Sequence, residues 1–194
     1  MAYSGWLLKV GNYTVPMSFM KPETYSPYVN TIVVMSMAGI AQGTQPLISY
    51  YYGKNESEKY KKLLKYGMVA AAAGSVAAVL ICYVGAESIV GLFLKESEAS
   101  LSVYSVRVLR IFILSFLLAG LNVVLGGYFT SVEKAGFATM ISLTRSLIAL
   151  VISLVFLTAV FGGEAIWWAP LIAESCCLVL SAWLYQWYRK NKFF

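Results

Sequence analysis

The sequence predicts an all-α membrane protein, a bundle of five transmembrane helices. Three observations support this prediction. Of the 194 residues, 59% are hydrophobic and only 12% are charged, whereas a soluble domain carries about 25% charged residues. The mean hydropathy is +0.70. The apolar residues also form runs of about 20, the length that spans a bilayer. This pattern excludes a soluble globular domain, a disordered tail and a coiled coil.

The apolar runs place the spans, and the charged residues separate them. The predicted spans are residues 28–52, 66–86, 111–132, 137–161 and 166–188. Between the second and third spans, the mixed composition predicts a short surface helix. Residues 1–26 contain no run of spanning length, so they are predicted to be an irregular or interfacial segment, the remnant of a helix. Residues 27–194 are predicted to form one bundle.

Several residue types that catalysis needs are missing. The chain has no His, and all nine acidic residues are Glu. His-dependent triads, His-bearing zinc sites and Asp-based phosphoryl transfer therefore lack a required member. Cys82, Cys176 and Cys177 lie in apolar stretches without CxxC spacing, so they are interpreted as small hydrophobic residues. The sequence predicts no enzyme, no cofactor and no metal site. We attribute the net charge of +6 to loop lysines and not to nucleic-acid binding.

The distribution of Lys and Arg predicts the orientation in the membrane. Basic residues concentrate in the 54–65 loop, at Lys134 and in the tail after residue 188. The positive-inside rule then places these segments, and the C-terminus, in the cytoplasm of a cell whose plasma membrane the chain crosses several times. Arg107 and Arg110, on the predicted outer side, weigh against this orientation. Trp and Tyr at both ends of the last span are typical of residues at headgroup depth.

The first span carries a polar face. Gln42 and Gln45 are three residues apart, so they lie on the same side of a helix. Buried amides need hydrogen-bond partners or a water-filled cavity, and Pro46 is expected to kink the helix. One interpretation is a transport-path face with a hinge. The other is a polar contact between helices with an ordinary kink.

Glu174 is the only carboxylate well inside a predicted span, about 12 Å from the outer end of the last helix. A charged group at such a depth costs at least about 2.5 kcal/mol to insert. In the functional interpretation, Glu174 is a carboxylate that couples to protons or cations, or that binds cationic substrates. In the structural interpretation, Glu174 is the partner of Arg145 in an ion pair. Arg145 lies about 12 Å from the inner end of the neighbouring span. Such a pair could also act as a switch.

Asn122 is a weaker candidate in the third span. Gly126 and Gly127 follow it closely, and small residues at helix contacts let backbones approach in lipid. Asn122 is therefore interpreted first as an interhelical packing residue and second as part of a substrate or ion pathway.

Four stretches together resemble the C-terminal half of MATE (multidrug and toxic compound extrusion) transporters, in the right order and over about residues 28–188. The stretch from Gly39 to Lys54, including Gln42, Gln45 and Pro46, is similar to the eighth helix of the family. The tenth helix of the family is similar to Arg110-Ile-Phe together with Gly127-Tyr-Phe-Thr-Ser-Val-Glu133-Lys134. The eleventh is similar to Ser142-Leu-Thr-Arg145. The twelfth helix, as it occurs in the bacterial branch, is similar to Ile166-Trp167 with Pro170-Leu-Ile-Ala-Glu174.

The resemblance implies the C-terminal bundle, helices eight to twelve, of a transporter with two six-helix bundles. Such transporters exchange Na⁺ or H⁺ for lipophilic, often cationic, drugs by alternating access. The resemblance also implies a missing N-terminal bundle as partner. The chain departs from the family's usual coupling site, because its third span has no acidic residue before Glu133. Two alternatives remain: a related lipid-linked oligosaccharide flippase, which more cavity arginines than Arg145 would favour, and a membrane fragment that does not transport.

Overall fold

The computed structural model describes residues 7–10, 13–16, 22–93 and 99–191 of the chain. Helices make up most of this part. They are α1 (Pro22–Gly53), α2 (Ser57–Val84), α3 (Ala86–Phe93), α4 (Ala99–Ile113), α5 (Phe116–Ser131), α6 (Ala135–Leu143), α7 (Ala149–Phe161) and α8 (Ala169–Asn191). A π-helical turn, Thr144–Ile148, joins α6 to α7, and a 3₁₀ segment, Gly163–Trp168, joins α7 to α8.

The N-terminal segment differs from the prediction. Leu7–Val10 (β1) and Tyr13–Pro16 (β2) form a two-stranded antiparallel pair, in which Leu7 is opposite Pro16. The expected helix remnant is therefore absent from these eight residues. Helix α1 already begins at Pro22, before the predicted boundary at residue 26, because proline is well suited to the first turn of a helix. The rest of residues 1–21 lies outside the described part of the chain.

Helices α1, α2 and α5 pack closely together, and glycines allow the approach. A methyl group added at Gly67 would lie 3.4 Å from side-chain atoms of Thr44 and Val124, and one at Gly74 would lie 3.2 Å from Met37. These two α2 glycines therefore permit close helix contacts. Gly120 of α5 sits even closer to α2, since a methyl group there would overlap the hydroxyl of Ser75.

Helix α5 is the centre of the bundle. In the most apolar stretch of the segment Val103–Ser131, which joins α4 to α5, 56% of the residues are buried, against 22% to 28% in the other three segments that qualify as membrane spans. Phe116 and Phe129 near the two ends of α5 are fully buried. Each phenylalanine belongs to a separate apolar cluster, with α3 and α4 at one end and with α2, α6 and α8 at the other. The bundle therefore has two apolar cores along its length.

Four helical segments in the described ranges are long and apolar enough to cross a membrane: Ser57–Val84, Val103–Ser131, Ala135–Phe161 and Ala165–Asn191. The first predicted span, residues 28–52, lies within α1, which is 32 residues long. It is less apolar than the other four, because polar residues such as Gln42 and Gln45 recur along it. The third span begins earlier than predicted, since α4 already enters it and only the turn at Leu114–Ser115 separates α4 from α5.

The ends of the bundle agree with the predicted grouping of the loops. A cleft at one end is lined by Tyr52, the Glu133–Lys134 turn and Asn191, so the predicted inner segments lie together. A second cleft, at the other end, brings Arg107 next to the indoles of Trp167 and Trp168. The charge pattern thus sorts the loops between the two ends, and which end faces the cytoplasm remains a prediction.

Candidate functional site

Three predicted site residues from three different elements meet around one carboxylate. Asn122 of α5 donates from Nδ2 to Glu174 Oε2 at 2.7 Å and to the main-chain oxygen of Glu174 at 3.0 Å. Arg145, in the π-helical turn, places Nε 3.8 Å from Glu174 Oε1. The structure thus contains the predicted Arg145–Glu174 ion pair, and we call Asn122, Arg145 and Glu174 the carboxylate cluster.

The carboxylate cluster is largely shielded by the bundle. The side chain of Glu174 is 15% exposed and that of Arg145 is 25% exposed, whereas Asn122 is fully buried. Opposite charges in such surroundings attract more strongly than in water. The amide donates a hydrogen bond to one carboxylate oxygen, and Arg145 lies within ion-pair distance of the other. Both contacts offset part of the cost of placing Glu174 among apolar helices.

The backbone around Arg145 is unusual. Residues Thr144–Ile148 form a π-helical turn between two α-helical segments. A π turn inserts an extra residue into a helix and turns the following side chains to a new direction, and such turns are frequent at functional sites. Here the turn coincides with the residue that approaches Glu174.

One polar atom of the carboxylate cluster has no partner. Asn122 Oδ1 is buried and accepts no hydrogen bond from the described residues. A buried acceptor without a donor costs about 1–3 kcal/mol, so natural proteins rarely leave one unless it has another role. The amide is therefore saturated on its nitrogen side and has an open acceptor on its oxygen side.

The other predicted site residues lie elsewhere, on α1. Gln45 is half-buried and packs against α5, since a methyl group added at Gly127 would lie 2.7 Å from Gln45 Nε2. Gln42 and Pro46 are exposed. Gly39 and Gly43 of the same helix face open space. The polar face of α1 is thus divided between a contact with α5 and an outward surface.

Sequence reasoning missed two features of this site. It treated Asn122 mainly as a packing residue, although the amide is the direct hydrogen-bond donor to Glu174. The only available signal was one asparagine in an otherwise apolar span. The sequence also contains no indication of the π turn at Thr144–Ile148, because the composition of these residues does not distinguish a π turn from an α-helix.

The fold and the carboxylate cluster define a class: a polytopic helical membrane protein with a shielded ion pair between its helices. The profile of the MatE family matches residues 26–155, which is more than half of the chain. The chain belongs to the MatE family.

Characterised relatives of this chain are multidrug export proteins. Over 146 residues the chain is 25% identical to the multidrug export protein MepA of Staphylococcus haemolyticus, a match that covers 75% of this chain and 31% of that protein. It is also 25% identical over 140 residues to MepA of Staphylococcus aureus strain N315, covering 72% and 30%. The chain therefore spans about three tenths of the length of these relatives.

Two solved structures have the same fold. One is the outward-facing conformation of a multidrug resistance MATE family transporter of the MOP superfamily, with a TM-score of 0.77 and 17% identity, over 88% of this chain and 38% of that chain. The other is the inward-facing conformation of such a transporter, with a TM-score of 0.76 and 17% identity, over 88% and 39%. The bundle is thus equally similar to both conformations.

Proposed function

We propose that this chain forms the C-terminal bundle of a multidrug efflux transporter. Together with an N-terminal bundle it exchanges Na⁺ or H⁺ for lipophilic or cationic drugs across the plasma membrane, and its C-terminus is cytoplasmic. The observation that carries the proposal is the carboxylate cluster, an ion pair with an open acceptor inside a MatE bundle. Ionisable groups at membrane depth usually mark ion or substrate pathways.

The similarity to two transporter conformations supports the same proposal. Alternating access in many transporters moves one bundle against the other as a nearly rigid body. A bundle that moves in this way keeps its internal structure in both states. The TM-scores of 0.77 and 0.76 fit that behaviour.

The geometry suggests how Glu174 would couple to a cation. When the carboxylate is ionised, it accepts from Asn122 Nδ2 and attracts Arg145. When it takes up a proton, the attraction to Arg145 weakens and the carboxyl gains an O–H donor. Rotation of the Asn122 amide would then offer Oδ1 to that donor. Binding of a proton or another cation to Glu174 would thereby change how tightly α8 is held to α5 and to the π-helical turn.

The test is drug efflux in cells whose own multidrug pumps are deleted. The chain is expressed alone or with the N-terminal six-helix bundle of a MatE relative, and the release of preloaded ethidium is followed by fluorescence. We expect efflux only from the pair of bundles. The E174Q variant should insert normally and lose at least about tenfold in efflux rate, because it can no longer exchange a cation.

Glu133 provides the matched control. It lies in the exposed turn between α5 and α6, so E133Q makes the same chemical change outside the bundle and should keep normal efflux. Unchanged transport in E174Q would contradict a coupling role for this residue. Absence of efflux from the wild-type pair, with both bundles inserted, would contradict the proposed function itself.

A further inference from the structure

A cavity of about 140 Å³ lies at the end of the bundle that holds the 54–65 loop and the end of α8. It is separate from the carboxylate cluster and is formed by α2, α5 and α8. Its lining residues are Ser57, Tyr60, Lys61, Tyr128, Tyr185, Tyr188 and Arg189. We call it the tyrosine cavity. Its volume holds several water molecules or one compact ionic group.

Tyr128 is the buried polar group of the tyrosine cavity. The residue is 2% exposed, and its ring makes edge contacts with Phe129 and Tyr185 that fix its position. Its side chain lines the cavity together with those of Tyr60, Tyr185 and Tyr188. A phenolic hydroxyl can donate a hydrogen bond, so Tyr128 can donate to a group that enters the cavity.

The charged residues that line the tyrosine cavity are both basic. Lys61 of α2 and Arg189 of α8 approach it from two different helices, and none of the seven lining residues is acidic. Lys61 also pairs with the carboxylate of Glu58 at 3.9 Å, but the side chain of Glu58 is 93% exposed to solvent and does not line the cavity. Ser57 begins α2, and a helix N-terminus adds favourable potential for an anion. A cation would be repelled here, whereas a phosphate would be attracted.

The depth of the tyrosine cavity indicates the source of the phosphate. Trp183 and Trp187 lie in the same stretch of α8 as the lining residues Tyr185, Tyr188 and Arg189, and they are 59% and 47% exposed. Exposed tryptophans at the end of a membrane helix sit at headgroup level, and basic pockets between such helices bind anionic headgroups. We propose that the tyrosine cavity binds the phosphodiester of an anionic glycerophospholipid, held by Lys61, Arg189 and the hydroxyl of Tyr128.

The experiment measures lipid binding by the purified wild-type chain, with native mass spectrometry during titration with dioleoyl phosphatidylglycerol or dioleoyl phosphatidylcholine. We expect a clear preference for phosphatidylglycerol. K61Q and R189Q should each weaken its binding at least about fivefold. Y128F should weaken it about fivefold, because it removes one hydrogen bond. This isosteric variant also keeps the test available if a charge variant does not fold.

The neighbouring residues provide matched controls. Lys62 and Lys190 adjoin Lys61 and Arg189 in sequence but do not line the cavity, so K62Q and K190Q should change the affinity by less than about twofold. Equal weakening by K61Q and K62Q would show that diffuse surface charge binds the lipid and would overturn the proposal. Displacement of the lipid by inorganic phosphate at similar concentration would also overturn it, since the site would then take a soluble anion. Because no transport is measured, the result is independent of the proposed efflux function.

Discussion

Asn122 on α5 holds Glu174 on α8 by two hydrogen bonds from a single nitrogen, 2.7 Å to the carboxylate and 3.0 Å to the main-chain oxygen. The amide therefore fixes both the side chain and the backbone of α8 at this level. Arg145 completes the arrangement from the π-helical turn. Three elements distant in sequence are thus joined at one polar point inside an apolar bundle.

Replacing Asn122 by leucine should destabilise the bundle. Both acceptors of Glu174 would lose their donor in shielded surroundings, which costs about 1–3 kcal/mol. We expect a lower Tm of the purified chain in detergent, followed by tryptophan fluorescence. Gln186 is exposed on α8, so Q186L is the matched control and should leave the Tm nearly unchanged. A wild-type Tm in N122L would show that the two hydrogen bonds contribute no stability.

Arg145 and Glu174 should be energetically coupled. Removing one partner leaves the other charge poorly compensated, whereas removing both does not. We therefore expect R145Q and E174Q each to lower the free energy of unfolding, and the double variant to lose less than their sum by about 0.5–2 kcal/mol. The measurement is a double-mutant cycle from denaturant unfolding in mixed micelles. Additive losses would mean that the observed proximity carries no interaction energy.

Gly120 should be intolerant of a side chain. A methyl group there would overlap Ser75 Oγ and lie 3.1 Å from Met37 Sδ, so G120A should cost about 1–3 kcal/mol. Gly43 has nothing within 4 Å of the same position, and G43A should be neutral or slightly stabilising, since alanine favours helix. Thermal unfolding in detergent compares the two variants.

The contact between Gly120 and Ser75 can be checked with a rescue variant. If the Ser75 hydroxyl is the obstacle, the S75A/G120A variant should recover part of the Tm lost in G120A. No recovery, or an equal loss in G43A, would contradict the close approach of α2 and α5 at this point.

The orientation of the bundle should follow the positive-inside rule. In a variant without native cysteines, K190C should react with a membrane-impermeant maleimide only after cells are opened, whereas G163C should react in intact cells. Both positions are exposed and lie at opposite ends of α8 and its preceding 3₁₀ segment. The reverse labelling pattern would mean that Arg107 and Arg110 outweigh the loop lysines.

Much of the fold follows from composition and charge position. The runs at 137–161 and 166–188 correspond to helical segments within a few residues, because a bilayer leaves a spanning backbone few options besides a helix. The strand pair at Leu7–Val10 and Tyr13–Pro16 was not predicted. Its residues have no clear alternation, and strand pairing depends on contacts between residues that the local pattern does not specify.

The candidate site was predictable in part. Glu174 and Arg145 stand out because charges are rare inside spans, and their similar depths predicted the pair. The inward position of Asn122 was not predictable, since the hydropathy pattern of α5 is nearly uniform and does not indicate which side faces α8. The tyrosine cavity was missed for a related reason, because Tyr60, Tyr128 and Tyr188 are far apart in sequence and come together only through packing.

By itself, the sequence determined that the chain is a helical membrane protein. It also determined where most of the spans lie and which two charged residues sit within them. The reason is that inserting a charge or an unpaired backbone group into lipid is costly wherever it occurs. Only the tertiary structure decided that Asn122 is the donor to Glu174, that Arg145 reaches the carboxylate from a π-helical turn, and that tyrosines from three helices line one cavity. The physical reason is that the cost of inserting a polar group depends on its depth in the bilayer, which follows from its position along a span. Which residues contact one another depends instead on how the helices are rotated and packed.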